Sequence, residues 1–320
     1  MSEVRGQKDD SNGLDSSFSP LSHRLAVLLA CATFPLLFIG GLVTSLGAGL
    51  AVPDWPTTFG YNMFLYPWSK MIGGIFYEHS HRLVASSVGL LTIALALSLW
   101  LQEKRRWLRW LGIAALLLVV AQGVLGGLRV VLLQQTLAIV HACFAQAFFA
   151  LTVSLALFTS AEWRAARGAP IADGGRLKRL ALITTAFIYL QIVFGAVLRQ
   201  SGERLDAHLL IAALVAIHVI LLLLRLKRAH ADRPELLRSG YFLAALLLLQ
   251  SVLGALAYYS KFTAMLPGLS GAAVLLTTTH LITGALMLAT SLIVTLRANR
   301  LSTLTAGTAA VPALSKQYSL

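Results

Sequence analysis

Apolar residues occur along this chain in long runs separated by short polar connections. Each run is close to the ~20 residues that a helix needs to cross the hydrocarbon core of a bilayer. The pattern therefore predicts an all-α polytopic membrane protein with eight transmembrane helices. The apolar runs occupy residues 25–49, 82–101, 108–131, 134–160, 178–199, 206–226, 239–260 and 270–296.

Composition and charge agree with this pattern. Hydrophobic residues make up 57% of the 320 residues and charged residues only 12%, which is too apolar for an ordinary soluble domain. The net charge of +13 could indicate a nucleic-acid partner, but the cations concentrate in alternate connections, at 102–109, 164–179 and 225–238. Positive charge marks the cytoplasmic side, so we predict that both termini are cytoplasmic and that no nucleic acid binds.

An internal repeat divides the chain into helix pairs. The pattern Gln-x-x-Leu/Phe-Gly-Gly/Ala occurs at 122–127, 191–196 and 250–255, and a copy without the glutamine occurs at 36–41. Each of these helices is followed by one that carries a histidine, which gives four helix pairs. We group them as two pseudo-twofold-related four-helix bundles, 25–160 and 178–296. The flanking segments are predicted as a disordered cytoplasmic tail (1–24), a cytoplasmic linker (161–177) and a second cytoplasmic tail (297–320).

The histidines of the four pairs are His81, His141, His208 and His280. Placing an imidazole in an apolar segment costs free energy unless the ring has a binding partner. Haem iron can bind the ring nitrogens of two histidines. The predicted topology places His81 and His208 at the outer ends of their helices and the other two about two or three turns in. Pairing His81 with His141 and His208 with His280 gives one candidate haem site in each half.

A carboxylate next to the first histidine distinguishes the two halves. Glu78 precedes His81 by three residues, so the two side chains share a helical face. Such a group can accept a proton or stabilise positive charge at a macrocycle edge. In the second half, Asp206 and Glu203 do not share the face of the histidine. The alternative is that Glu78 is a solvated interfacial residue or pairs with Arg82.

Three arginines lie near the outer ends of the predicted helices. Arg82, Arg129 and Arg199 could contact haem propionates, because guanidinium groups bind carboxylates well. The alternative is that they extend to the membrane interface without a ligand. The segment 53–56 predicts a rigid turn that carries an interfacial tryptophan, as a lid over the substrate half.

Five stretches of this chain resemble the haem A synthase family. They are GGLVTSLGAGLAVPDWP (40–56), EHSHR (78–82), QGVLGGLRVVLLQQTLAIVHA (122–142), DAHLL (206–210) and TTTHLITG (277–284). The first two are specific, whereas the last is weak alone. Many members have a cysteine pair in the outer loop after the first helix, and residues 50–77 contain no cysteine.

The resemblance implies a bacterial plasma-membrane oxidoreductase that oxidises the ring D methyl group of haem O to the formyl group of haem A by successive hydroxylations, with water as the oxygen source. It implies that His208 and His280 ligate a resident haem b, that His81 and His141 face haem O, and that Glu78 is the catalytic carboxylate. It also implies an electron acceptor and a haem O synthase as candidate partners, and it leaves homo-oligomerisation open.

Two other classes of protein compete with this interpretation. A di-haem b-type electron-transfer protein without covalent chemistry would explain the four histidines equally well. A transporter with inverted repeats would explain the two halves, but it predicts charges near the membrane midplane that this sequence lacks.

Overall fold

The structure is a computed structural model that describes residues 19–165, 174–262 and 272–309. Eight of its described helices are long and apolar enough to cross a membrane. The chain is therefore a multi-pass, all-α membrane protein. The α-helices are α1 (Pro20–Ser45), α2 (Gly74–Gln102), α3 (Arg106–Val131), α4 (Gln135–Thr159), the short α5 (Ala161–Ala165), α6 (Gly174–Ser201), α7 (Leu205–Ala229), α8 (Pro234–Phe262) and α9 (Ala273–Ala309).

Several helices extend beyond the apolar runs that predicted them. Helix α2 begins at Gly74, after Gly73 in a left-handed conformation (φ 55°), and so includes the polar residues before position 82. Helix α9 continues to Ala309, so residues 297–309, predicted as a tail, are helical. Hydropathy marks only the part of a helix that crosses the hydrocarbon core. The backbone hydrogen bonds of the helix can continue beyond that part, until a residue ends the helix. The remaining parts of the predicted tails and linker, 1–18, 166–173 and 310–320, lie outside the described residues.

Each half of the chain forms a ring of four helices. In the first half α1 to α4 contact their neighbours in sequence, and α1 closes the ring on α4. Helices α6 to α9 make the same set of contacts in the second half. Each ring has its own apolar core, because leucines from all four helices point inward. The fully buried core leucines include Leu29, Leu95, Leu99, Leu108 and Leu155 in the first ring and Leu177, Leu222, Leu226, Leu236 and Leu243 in the second.

The two rings meet through equivalent helices. Helix α4 packs on α9, α1 packs on α9, and α6 packs on α4. The last two contacts each join the first helix of one half to the fourth helix of the other, which is consistent with the predicted pseudo-twofold arrangement. A third apolar cluster lies at this junction, and its buried members are Leu37, Phe149, Ile282, Ala285 and Ala289.

A buried carboxylate joins two connections at the end of the bundle opposite the histidines. The side chain of Glu103, only 1% exposed, lies 2.9 Å from Arg105 and 2.8 Å from Arg164. Burial acts to raise the pKa of Glu103, but hydrogen bonds from Arg105 outweigh it and hold the pKa below its ordinary value. This cluster ties the α2–α3 connection to α5.

Candidate functional site: two histidine pairs and a roof over one of them

The repeat glycine and the repeat histidine are in direct contact in all four helix pairs. A methyl group added to the glycine would lie 3.0–3.2 Å from the Cε1 atom of the histidine ring. Ordinary carbon–carbon contacts are about 3.5–4.0 Å, so only glycine lets the ring lie so close to the neighbouring helix. The contacting pairs are Gly40 with His81, Gly126 with His141, Gly195 with His208, and Gly254 with His280.

The structure brings His208 and His280 together in the second half. Their ring centroids are 6.4 Å apart, and the ring planes are inclined by 64°. The side-chain amides of Gln191 and Gln250 contact the Nε2 atoms of these two rings, at 3.2 and 3.3 Å respectively. Each histidine of this half is therefore held by both the glycine and the glutamine of the preceding helix.

The four rings fit a metal-bound group better than an apolar core. The Nδ1 atom of each ring is buried and has no hydrogen-bond partner in the part of the chain that the structure describes. A buried polar atom without a partner is uncommon in a native protein and needs a reason. The distance between the two second-half rings also suits a metal ion. Their centroids are 6.4 Å apart. This is about the sum of two metal–nitrogen bonds of about 2 Å each and the distance from each nitrogen to the centre of its own ring. These residues can thus hold a haem iron by one nitrogen of each ring; where that nitrogen is Nε2 in the second half, the iron would replace the glutamine amide.

The first-half pair is built differently. His81 and His141 interact electrostatically across the bundle, and each rests on its glycine. The amide of Gln122, however, donates to the backbone carbonyl of His141, at 3.2 Å, rather than contacting the ring. His81 has no glutamine, because Leu36 occupies that position of its repeat. The first-half rings therefore lack the amide contacts of the second-half rings.

Helix positions correct the predicted depth of one histidine. His81 was expected at the outer end of its helix, but α2 begins at Gly74, so His81 lies about 10 Å inside the helix at 1.5 Å per residue. His141 lies about 9 Å inside α4, which begins at Gln135. The two rings of the first half are therefore at similar depth.

Glu78 is buried and bonded through both of its oxygens. Its Oε2 atom accepts from the backbone N–H of Val52, at 2.9 Å, and its Oε1 atom accepts from Nη2 of Arg82, at 2.8 Å. The residue is only 5% exposed. It is therefore not a solvated interfacial residue, and the pairing with Arg82 considered from sequence is present.

Arg82, on α2, holds the connection between α1 and α2 against that helix. Its Nη1 atom donates to the carbonyls of Asp54 and Thr57, at 2.7 and 3.1 Å, and Nη2 donates to the carbonyl of Val52, at 3.1 Å, as well as to Glu78. Because the terminal N–H groups of Arg82 are used in these bonds within the protein, they are not available to bind a propionate. We call the connection 46–73 the roof, and the Glu78–Arg82 pair its latch.

His79 supplies another attachment of the roof. It is 1% exposed, its Nδ1 atom shares a hydrogen bond of 3.2 Å with the hydroxyl of Thr58, and its ring centroid lies 5.1 Å from that of Tyr66. Sequence reasoning placed His79 near the site without a role. The structure shows that it holds the roof.

The roof has an ordered turn of its own around Asp54. The carboxylate accepts from the backbone N–H groups of Phe59, at 2.7 Å, and Gly60, at 2.9 Å, and from the hydroxyl of Thr57. Burial acts to raise the pKa of Asp54, but these hydrogen bonds outweigh it and hold the pKa below its ordinary value. The charged form of Asp54 therefore stabilises the turn.

The other two arginines bridge elements close to the histidine pairs. Nη2 of Arg129 donates to the carbonyl of Gly49, at 2.9 Å, and the guanidinium interacts electrostatically with both first-half histidines. Nη2 of Arg199 donates to the carbonyl of Gly41, at 2.7 Å, and to the hydroxyl of Ser45. Only one Nη atom of each of these arginines is hydrogen-bonded within the described residues, so further N–H donors remain for a ligand carboxylate.

Trp55 lies directly on Gly127 of α3. A methyl group on Gly127 would be only 2.2 Å from the indole ring, so no other residue fits there without moving the tryptophan. Gly127 follows Gly126, the glycine that carries the His141 ring. Neither contact was predicted from the sequence, although the double glycine of QGVLGG was an available signal.

Another histidine of a membrane-spanning helix, His218, has partners within its own half of the protein. Nδ1 of His218 bonds the carbonyl of Leu214, at 2.8 Å, and its ring lies 4.7 Å from that of Phe187.

Comparisons with known proteins cover the first half best. A family model described as cytochrome oxidase assembly protein, COX15-CtaA, matches residues 23–206. Two curated relatives, each a haem A synthase, come from Shouchella clausii (30% identical over 186 residues) and Alkalihalophilus pseudofirmus (30% identical over 183 residues). These matches cover 57% and 56% of this chain, and 60% of the length of each relative. His208 and His280 lie beyond the segment that the family model matches.

Proposed function

The chain belongs to the COX15-CtaA family of cytochrome oxidase assembly proteins, and from this premise we propose that it is a haem A synthase. The reaction would oxidise the ring D methyl group of haem O to a formyl group, with water as the oxygen source. The observation that carries the proposal is the asymmetry of two otherwise equivalent histidine pairs. Only the first half has the buried Glu78, three residues before His81 on α2, and the long roof that is hydrogen-bonded to it.

We propose that the two halves have different tasks. His208 and His280 would ligate the resident haem b, because their ring centroids lie 6.4 Å apart, a separation that suits one iron between a nitrogen of each ring. His81 and His141 would bind the substrate, haem O. The haem b supplies one-electron redox chemistry when it is bound. The chain supplies the close glycine contacts that position both pairs of rings.

The charged residues of the site have separate roles in this proposal. Arg129 and Arg199 would bind propionates with the N–H donors that the protein leaves available. Arg82 would instead hold the roof, because its terminal N–H groups bond backbone carbonyls and Glu78. Glu78 would accept a proton released from the methyl group as it is oxidised, since it is the buried carboxylate nearest His81.

Replacing Glu78 by two different residues separates proton transfer from anchoring. Glu78→Ala removes both the carboxylate and the acceptor of the Val52 N–H group, so it disturbs the roof as well. Glu78→Gln keeps an acceptor for Val52 but binds no proton. We expect Glu78→Gln to retain haem b and the seated roof while haem A formation falls by about 100-fold or more. Near-normal activity in Glu78→Gln would leave Glu78 as an anchor only.

Pigment analysis of the purified chain distinguishes the synthase from an electron carrier. A synthase should contain haem O or haem A beside haem B, and it should form haem A when haem O is supplied. A di-haem carrier would contain haem B alone in both halves. Extraction of the pigments followed by chromatography gives this result directly, and the second outcome would refute the proposed function.

We propose further that both termini are cytoplasmic in a bacterial plasma membrane, which places the roof and the histidine pairs on the outer side. The support is the distribution of lysine and arginine among the connections. Haem O synthase and an electron acceptor are the expected partners, and self-association is tested by the mass of the detergent-solubilised chain. Reporter fusions at the two ends test the orientation.

A further inference from the structure

Equivalent connections of the two halves differ greatly in size. The roof, residues 46–73, joins α1 to α2, whereas its counterpart between α6 and α7 is the short turn 202–204. A connection of such length inside a compact bundle is usually functional. The half that carries the roof is also the half whose histidine rings, among the described residues, have no glutamine contact, and we take the roof as part of that site.

The roof is fastened at separate points rather than lying loosely on the helices. The latch of Glu78 and Arg82 holds it on α2, and Arg129 holds it on α3 through the carbonyl of Gly49. A methyl group on Gly49 would be 2.0 Å from Nη2 of Arg129, so a larger residue there would displace the guanidinium that makes this attachment. Together with the Gly127 contact of Trp55, at 2.2 Å, these are the tightest glycine contacts among the described residues.

These attachments hold one large aromatic side chain against α3, the helix whose Gly126 packs on the His141 ring. Trp55 lies on Gly127, the next residue after the glycine that supports His141. The side chain is not fully enclosed, because 39% of Trp55 is exposed. An indole that is held rigidly and keeps an open face presents a flat apolar surface, which suits a planar aromatic ligand.

We propose that Trp55 is a substrate-contacting residue of the first-half site and packs against the macrocycle of the bound haem. This inference rests on the proposed binding of haem O by His81 and His141. Trp55 would add an aromatic contact to the macrocycle in the half whose histidine rings, among the described residues, have no glutamine amide on them. The latch and Arg129 are positioning groups that keep the indole in place.

Four variants test the contact in the full chain with its resident haem. Trp55→Ala removes the ring, and Gly127→Ala displaces it. Trp55→Phe keeps a smaller aromatic ring. Gly123→Ala is the matched control, because it lies one turn earlier on α3 and a methyl group there meets nothing within 4 Å. The probe is haem O added to protein in lipid nanodiscs, and the readouts are its Kd and the absorption band of the bound haem.

We expect Trp55→Ala and Gly127→Ala to raise the Kd for haem O about tenfold, which corresponds to a typical aromatic contact. Trp55→Phe should retain most of the affinity but shift the absorption band of bound haem O, a change that a residue acting only on the roof would not cause. Gly123→Ala should match the unaltered chain, and the resident haem b spectrum should be unchanged in all four variants.

Two outcomes overturn the inference, and they differ in what else they refute. If the unaltered chain forms haem A and Trp55→Ala binds haem O with the same Kd and spectrum, the contact is wrong and the proposed function stands. If the unaltered chain neither binds haem O in its first half nor forms haem A, the proposed function fails and the contact fails with it.

Discussion

Replacement of the repeat glycine Gly254 by alanine should disturb the haem site of the second half. The added methyl group would lie 3.0 Å from Cε1 of His280. Ordinary contacts need about 3.5–4.0 Å, so the ring must give way by a few tenths of an ångström. Metal–ligand distances in a well-formed site vary by only about 0.2 Å. We therefore expect Gly254→Ala to lengthen or break the bond between His280 and iron.

The substitution Gly254→Ala changes the free energy of unfolding through two opposing effects. Alanine in a helix interior is favoured over glycine by about 0.5–1 kcal/mol. Overpacking of a tight contact costs about 1–3 kcal/mol. Gly254→Ala should therefore lower the free energy of unfolding by about 1 kcal/mol, whereas Gly123→Ala, with open space around the methyl group, should raise it.

Absorption spectra of the reduced haem b and thermal unfolding in the same membrane mimetic measure the two effects. The expected result is a shifted haem b spectrum and a lower Tm for Gly254→Ala, with neither change in Gly123→Ala. An unaltered spectrum together with a Tm as high as that of the control would refute the proposed positioning of His280 by its glycine.

Further perturbations address other parts of the protein. His280→Met substitutes a softer ligand and should shift the spectrum of resident haem b without unfolding the chain; an unchanged spectrum would mean that the second-half pair is misassigned. The pKa of Asp54 is lowered in the folded roof, so its contribution to stability is complete above the ordinary value of 3.8 and is lost as pH falls through the folded value. Protease cleavage within the roof should therefore accelerate below about pH 3.8 in the natural chain, and Asp54→Asn should remove this pH dependence. Glu103→Gln leaves Arg105 and Arg164 without their buried counter-charge and should destabilise the chain by about 3 kcal/mol, measured by thermal unfolding, whereas Glu203→Gln on the outer surface should have little effect.

Much of the fold could be predicted from the sequence because its determinants are local. A run of about 20 apolar residues has few alternatives to a membrane-spanning helix, and the structure contains all eight. The helix ends were less predictable. The polar stretch before position 82 reads as a connection by hydropathy, yet it is the start of α2, because helical hydrogen bonds form independently of side-chain polarity.

The repeat also carried information about the site, but only in part. It predicted that each histidine follows a helix with a small-residue motif, and that the first copy lacks its glutamine. It did not indicate that the glycine touches the histidine ring, since that contact depends on how the two helices of a pair are rotated against each other.

Only the tertiary structure decided how the charged residues near the first pair are used. From spacing alone, Glu78 faces a haem and Arg82 is free for a propionate. In the folded chain both side chains bond the roof, which arrives from a segment more than twenty residues earlier. Hydrogen-bond partners supplied by a distant irregular segment leave no periodic trace in the sequence. The chain by itself thus determined its helices, their pairing and the histidines they carry, whereas the three-dimensional packing determined which donors are already occupied and where Trp55 lies.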